Sequence, residues 1–481
     1  MDYTLLTLLE ASKLLKDRKV TSVELTKSFL QKIEQTKKLN TLITICKADA
    51  LATAEKADKI IQSGVAYPAL TGLPIIIKDN ISTKGVRTTC GSKFLKNYIP
   101  PYNATVVEKL NAQNAVLLGK ANMDEFAMGG SNEHSAYGNV LNPLNNEYVP
   151  GGSSGGSASA VGANLCLASL GSDTGGSIRQ PAAYCGLIGL KPTYGLVSRF
   201  GLVAFASSLD QIGPLTKTVK DSALLLSVIA GSDEKDSTSE KFKLPDYNKC
   251  FTDSIRGLKV GISKEYLNLF MSDETKVSVN SVIEFLKQHG ATLVDINLKN
   301  IDLSLSVYYV VACAEAASNL SRFDGVKYGV RAKDYKNLSE LYFKSRTQGF
   351  GEEVKRRIML GNFVLSSGYF DAYYKRAKKA QQAIKCEFEK AFNICDVIIS
   401  PTTPSTAFKF GEKTDNPVEM YAADVYTVPV NIAELPAISI PCGKGQNNMP
   451  IGIQLIGKKF SECTLLNTAD YIEKHYSWEG K

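Results

Sequence analysis

Histidine is nearly missing from this chain. Only His134, His289 and His475 occur in 481 residues. His475 lies in a polar C-terminal tail, His289 precedes a glycine at an expected helix end, and His134 alone lies near glycine-rich sequence. A Ser-His-Asp triad or a histidine-based metal site is therefore poorly supplied. The ten cysteines form no C-x-x-C pair, and Cys166, Cys185, Cys313 and Cys395 sit inside apolar runs. That usage fits reduced, buried thiols, with neither zinc nor disulfides. No uninterrupted apolar stretch reaches the length of a bilayer span. The N-terminal MDYTLLTLLEASKLLKDRK is charged throughout and has no small-residue cleavage site. A cytoplasmic chain without membrane association is expected. Internal repeats and low-complexity tracts are missing as well. The net charge of +8 is spread among interspersed lysines and acids, as at 352–357 and 375–390. Solvated helix faces explain that charge, and a nucleic-acid patch is permitted without being required.

With 44% hydrophobic and 22% charged residues, the chain can bury a large core. Residues 8–18 and 22–38 read as amphipathic helices, the second with a capping box from Thr21 to Glu24. A third helix over 48–62 completes an N-terminal helical arm, 1–65. LTGLPIIIKDN at 70–80 has the pattern of a buried strand ending on Lys78 and Asp79. A helix at 104–111 and a strand at 115–119 extend the alternation, while 122–138 reads as a loop and 195–214 as irregular. A helix follows at 221–230, then a polar surface excursion at 232–250. Strands at 258–263 and 292–298 flank a helix at 273–289, and 303–394 is mainly helical, a cap element. Strands resume at 397–400, 437–441 and 450–456 before a last helix at 462–475. The expected class is α/β: one large mixed β-sheet covered by helices, a single domain over 1–481 with its core at 66–230 and the sheet completed within 395–475.

Two glycine–serine loops, 151–157 and 171–177, flank the uncharged small-residue run 158–170. Flexible linkers lack such an apolar run between them. Neither loop is followed by the lysine of a phosphate loop, and neither fits G-x-G-x-x-G with a later acid. What remains is an oxyanion site with serines presented on glycine turns. Ser153, Ser154, Ser157, Ser172 and Ser177 are the candidates; Ser177 follows Thr174-Gly175-Gly176 and opens an expected helix, whose N-terminus also favours an anion. A serine needs something to take its proton. With histidine scarce, Lys78 is the natural base, because burial behind three isoleucines would favour its neutral amine. On the residues alone, a lysine reaching out from a strand end or pairing with Asp79 is the commoner case.

GGSSGGS at 151–157, GSDTGGSIRQPAAYCG at 171–186 and the strand-end lysine upstream resemble the amidase signature family. The resemblance implies amide hydrolysis through a Ser–cis-Ser–Lys triad on a mixed sheet flanked by helices. Carried across, Ser177 is the acylated nucleophile, Ser153 the bridging serine behind a cis peptide at Gly152–Ser153, and Lys78 the base. The amides of Thr174, Gly175, Gly176 and Ser177 become the oxyanion hole.

Further segments are similar to one branch of that family, the glutaminase subunits of tRNA-dependent amidotransferases. They are FAMGGSNEHSAYGN at 126–139, SRFGLVAFASSLDQIGPLT at 198–216, SNLSRFDGVKYG at 318–329, VKRRIMLG at 354–361 and DVYTVPVNIAELPAISIPCG at 424–443. This implies release of ammonia from glutamine for a B subunit, which uses ATP and Mg2+ to convert Glu-tRNA(Gln) to Gln-tRNA(Gln), with a small C subunit bracing a heterotrimer. No cofactor or metal is implied for this chain itself. Arg357 would pair with the glutamine α-carboxylate and Asp424 with its α-ammonium. Tyr308 or Tyr309 would close the pocket, and Met128 and Gly129 would line it. Without the resemblance, Arg357 reads as surface helix charge and Asp424 as a turn or cap residue. A free-standing amidase for small carboxamides fits the same triad; a non-catalytic scaffold sits badly with intact Lys78, Ser153 and Ser177.

Overall fold

The first strand is one the sequence pattern hides. Leu42–Ile45 (β1) is short and only half-buried. The strand Pro74–Lys78 (β2) follows, buried along its whole length, then Val116–Ala121 (β3), Ala168–Asp173 (β4), Ile188–Lys191 (β5) and Gln211–Thr216 (β6). The C-terminal half adds Lys259–Ser263 (β7), Thr292–Ile296 (β8), Val397–Pro401 (β9), Ala437–Lys444 (β10) and Pro450–Gly457 (β11). In this computed structural model, which describes residues 2–478, hydrogen bonding joins the 11 strands into one sheet in the order β1-β3-β2-β4-β6-β5-β10-β11-β9-β7-β8. The sheet is mixed: β2 runs parallel to β3 and β4, and β7 to β8 and β9, while β4 with β6 and β10 with β11 are antiparallel.

Successive strand residues point to opposite faces, and both faces are covered. Val397 and Ile399 join one apolar cluster and Ile398 the other. The first cluster takes the N-terminal helices Leu8–Lys16 and Ser22–Gln35, together with Val219–Ile229, Asp273–Gln288 and Glu462–His475. The second takes Ser304–Asn319, Glu352–Leu365 and Arg376–Ala391, the helices expected as a cap. The expected capping box is present: Thr21 accepts the Glu24 N–H and Glu24 returns the bond. Asp221 anchors the N-terminal arm by accepting the N–H groups of Leu8 and Leu9.

Two expectations change. β4 runs into the second glycine–serine loop, β6 begins in the stretch read as irregular, and β5 lies where no element was expected, because ASLGSD, IGLK and QIGPLT have few β-branched residues. Burial between neighbouring strands outweighs weak local propensity there. The segment Ile301–Arg322 has the length and composition of a membrane span, but Asp302, Glu315 and Arg322 interrupt it and its most apolar stretch is 56% buried inside the protein, as in a core helix. The cysteine reading is also corrected, since Cys250 and Cys463 form a disulfide with their Cα atoms 5.1 Å apart. The polar excursion at 232–250 folds back against the last helix and brings together two thiols 213 residues apart.

Beneath the helical cap, Phe94 stacks on Phe350 at 4.6 Å and meets Phe323 edge-on at 6.0 Å. The ring is fully buried. Phe94→Ala is expected to destabilise the fold by about 3–5 kcal/mol through lost burial and the cavity left behind. Urea denaturation checks this, and a loss below ~1 kcal/mol would contradict the packing role.

Candidate active site

β2 delivers Lys78 into a nest of hydroxyls. Its Nζ lies 2.7 Å from Ser153 Oγ, 2.9 Å from Ser154 Oγ and 3.0 Å from Ser172 Oγ. Asn80 Nδ2 donates to Ser172 Oγ at 2.9 Å and steadies that partner. Lys78 is fully buried. Burial pushes its pKa down to about 7, against the pull of the Asp124, Asp173 and Asp210 carboxylates. Near neutral pH this amine is therefore free of its proton in much of the population, and it then accepts a hydrogen bond from Ser153 instead of giving one.

The two glycine–serine loops meet beside it. The Gly152–Ser153 peptide is cis, and the helix Gly155–Gly162 begins directly after it. The run between the loops is this helix followed by β4, so the loops hang on rigid elements. The Ser154 N–H donates to the Ser177 carbonyl at 3.3 Å, tying one loop to the other. Ser177 is 9% exposed, whereas Ser153 and Lys78 are at 0%; the serine assigned to attack is the one that a substrate can reach.

Asp173 builds the turn that carries Ser177. Its carboxylate accepts the Gly176 N–H at 2.8 Å and the Ile178 N–H at 3.2 Å. It also takes Arg179 Nε at 3.1 Å and Nη2 at 3.0 Å, a bidentate pair out of solvent. Burial alone would raise the Asp173 carboxyl; Arg179 holds it well below the usual carboxylate range. The Gly176 N–H, which the resemblance gives to an oxyanion hole, donates to the Asp173 carboxylate, so Thr174, Gly175 and Ser177 remain the expected donors. Thr174 Oγ1 donates to Asp210 at 2.6 Å, and Asp210 also accepts the N–H groups of Phe205 and Ala206.

At the other end, Arg357 is 4% exposed on the helix Glu352–Leu365, so it is no surface charge. Its Nε donates to Glu353 Oε1 at 2.7 Å, and Tyr421 Oη donates to the same oxygen at 2.8 Å. The rings of Phe205, Tyr309 and Tyr421 surround the guanidinium at 5.3–5.5 Å. Asp424 keeps some exposure, and Tyr309 Oη donates to its Oδ2 at 3.3 Å. Burial pushes the Asp424 carboxyl up to about 7, with Arg357 opposing. The two tyrosines thus take separate places. Tyr309 holds Asp424, while Tyr308 lies so close over the nucleophile turn that a Cβ on Gly175 would fall 2.5 Å from its ring. Met128 packs in the apolar cluster under the cap, and Gly129 rests on the Asp124 carboxylate. Gly130 comes nearest Asp424: a Cβ there would lie 3.9 Å from Oδ1.

The sequence reading missed Glu353, Tyr421, Gly130 and the scaffolding aspartates. Only Glu353 left a signal, its i,i+4 spacing to Arg357 on a helix; its burial could not be read from that spacing.

Known proteins resemble this chain along nearly its whole length. The family model described as Amidase matches residues 24–466. A protein of Caldanaerobacter subterraneus subsp. tengcongensis, named as the A subunit of glutamyl-tRNA(Gln) amidotransferase, is 54% identical over 482 residues, covering 100% of this chain and 98% of its own. The crystal structure of the A subunit of glutamyl-tRNA(Gln) amidotransferase from Thermotoga maritima superposes with a TM-score of 0.82 at 40% identity, over 99% of this chain and 96% of that one. The peptide amidase of Stenotrophomonas maltophilia is similar too, with a TM-score of 0.82 at 27% identity over 98% and 97% of the two chains. The mixed sheet, the paired serine loops and these full-length matches place the chain in the amidase signature family.

Proposed function

We propose that this chain is the glutaminase subunit of a glutamyl-tRNA(Gln) amidotransferase and works in the cytoplasm. The observation that carries the reading is a guanidinium and a carboxylate brought to one ring, which we take as the two ends of a substrate pocket: Tyr309 Oη donates to Asp424 and its ring lies 5.3 Å from Arg357, while Tyr308 beside it covers the nucleophile turn at Gly175. A substrate with an α-carboxylate and an α-ammonium beside its amide fits that pocket, and glutamine has both. The 54% identity to a protein named as such an amidotransferase component supports the same choice.

The Lys78–Ser153 hydrogen bond supplies one leg of the relay, and the family resemblance supplies the leg from Ser153 to Ser177. Neutral Lys78 takes the Ser153 proton while Ser153 Oγ takes that of Ser177, and Ser177 Oγ attacks the amide carbon. The Thr174, Gly175 and Ser177 N–H groups meet the oxyanion, a contribution worth roughly 10²–10³ in rate per donor. As the C–N bond breaks, the proton returns through Ser153 to the leaving nitrogen, which departs as ammonia. Water then attacks the Ser177 ester, losing its proton to the same relay, and glutamate leaves. The ammonia passes to a B subunit, which uses ATP and Mg2+ on Glu-tRNA(Gln); a C subunit completes the heterotrimer.

The fold shared with a peptide amidase favours a second reading, a free-standing amidase. Ammonia release from glutamine, propionamide and peptide amides separates the two, measured on the chain alone and with B and C partners. The proposal expects strong glutamine preference and stimulation by partners. Brisk hydrolysis of every amide, indifferent to partners, would replace it with the second reading.

A further inference from the structure

Gln180 lies in the first turn of the helix Arg179–Tyr184, just beyond Ser177, and is fully buried. Its side chain joins two loops that belong to different halves of the site. Oε1 accepts the Gly152 N–H at 2.9 Å, and Nε2 donates to the Gly130 carbonyl at 2.8 Å. An N–H only donates and a carbonyl only accepts, so a single orientation of the amide satisfies both, and no carboxylate or hydrocarbon can replace it. Gly152 precedes Ser153, the hydroxyl on Lys78. Gly130 adjoins Asp424 at the far end of the pocket. Gly151 makes room for the link: its φ is +81° and a Cβ there would lie 2.7 Å from Gln180 Oε1.

We propose that Gln180 is a positioning residue which fixes the Lys78–Ser153 relay in register with the pocket wall at Gly130 and Asp424, so that a substrate seated by its α-amino end is aligned for attack. Gln180 touches neither substrate nor reacting atoms; it acts through Gly152 and Gly130. The inference rests on the glutaminase reading for the identity of the substrate, not for the link between relay and pocket.

Gln180→Glu gives a readout that a merely structural role would not move. The variant's carboxylate, when ionised, still accepts from Gly152 but faces the Gly130 carbonyl oxygen with a second oxygen. Once protonated, the same group donates to that carbonyl and restores both bonds. The variant's kcat/KM, divided by that of wild type at each pH, is therefore expected to be reduced roughly 10- to 100-fold at pH 9 and to recover at least several-fold by pH 6. Lys78, Asp124, Asp173, Arg179 and Asp424 are the charged groups about the link, and the ratio to wild type removes the part of their titration that both enzymes share, while Gln180→Leu, which adds no charge, shows what remains without the new carboxylate. Gln180→Leu, which makes neither bond, is expected to stay low by a constant factor.

The measurement uses the chain co-purified with its partners, on glutamine and on propionamide alike. A Gln180→Glu variant equal to wild type, or one whose deficit is the same at every pH, would overturn the proposal. Should Gln180→Leu fail to fold, the Gln180→Glu ratio still decides. A wild type that ignores glutamine but hydrolyses propionamide would sink the glutaminase reading, and the ratio on propionamide would still test the link.

Discussion

Ser177→Ala is expected to abolish ammonia release from glutamine, with a loss on the order of 10⁶-fold, the scale on which removal of a serine nucleophile acts. The fold should barely notice. Only Oγ is removed from a side chain at the edge of solvent. The Ser177 carbonyl still accepts the Ser154 N–H, and Asp173 still holds the turn through Gly176, Ile178 and Arg179. Stability within ~1 kcal/mol of wild type and unchanged assembly with partners are expected. Ammonia release in a coupled assay, read beside thermal unfolding, checks both halves. Normal turnover of glutamine by this variant would remove Ser177 from the mechanism.

Lys78→Met should cost at least the ~10²–10⁴ that a positioned general base contributes. More telling is the pH dependence in the wild type. The base must be neutral, so kcat/KM rises with pH as Lys78 gives up its proton near about 7. On the proposed reading Asp424, pushed up to about 7 as well, holds the α-ammonium only when ionised, and its contribution to activity rises with pH in the same sense. Glutamine should therefore show an acid limb steeper than one proton, whereas propionamide, which does not need Asp424, should show a one-proton limb. Asp424→Asn should reduce the glutamine limb to one proton and raise KM. Stability gives an independent check on the lysine. A folded-state pKa below the unfolded value near ~10.4 means that the unfolded chain binds the extra proton between the two. Stability contributed by this group thus falls as pH drops from ~10.4 toward about 7, and is fully lost below. The stability difference between wild type and Lys78→Met should shift in favour of the variant over that window. A flat difference would mean that Lys78 keeps an ordinary pKa.

How much of this was legible in the chain differs by element. Long amphipathic helices such as Ser22–Gln35 carry their boundaries in caps and periodicity, and β2 advertises itself through three isoleucines. β5 and β6 do not, because Ile-Gly-Leu-Lys and Gln-Ile-Gly-Pro-Leu-Thr become strands only when neighbours supply the hydrogen bonds. In the site, the serines and Lys78 could be proposed from glycine turns and scarce histidine, though Ser153 as the direct partner of Lys78 came from resemblance. Asp173 could not be read as the residue that takes the Gly176 amide, since that depends on how a turn closes. Glu353 and Gln180 share that difficulty: their partners Tyr421, Gly130 and Gly152 lie far off in sequence. The Cys250–Cys463 pair is hidden for the same reason.

The decisive measurement follows the amide nitrogen itself. Glutamine labelled with 15N in its side-chain amide is given to the complex of this chain with B and C partners, together with ATP, Mg2+ and Glu-tRNA(Gln), and the label is traced into Gln-tRNA(Gln). The expected result is transfer by wild type, none by the Ser177→Ala complex, and restored amidation of the tRNA-bound glutamate in that complex when ammonium chloride replaces glutamine. Labelled Gln-tRNA(Gln) formed at the normal rate by the Ser177→Ala complex would contradict the account.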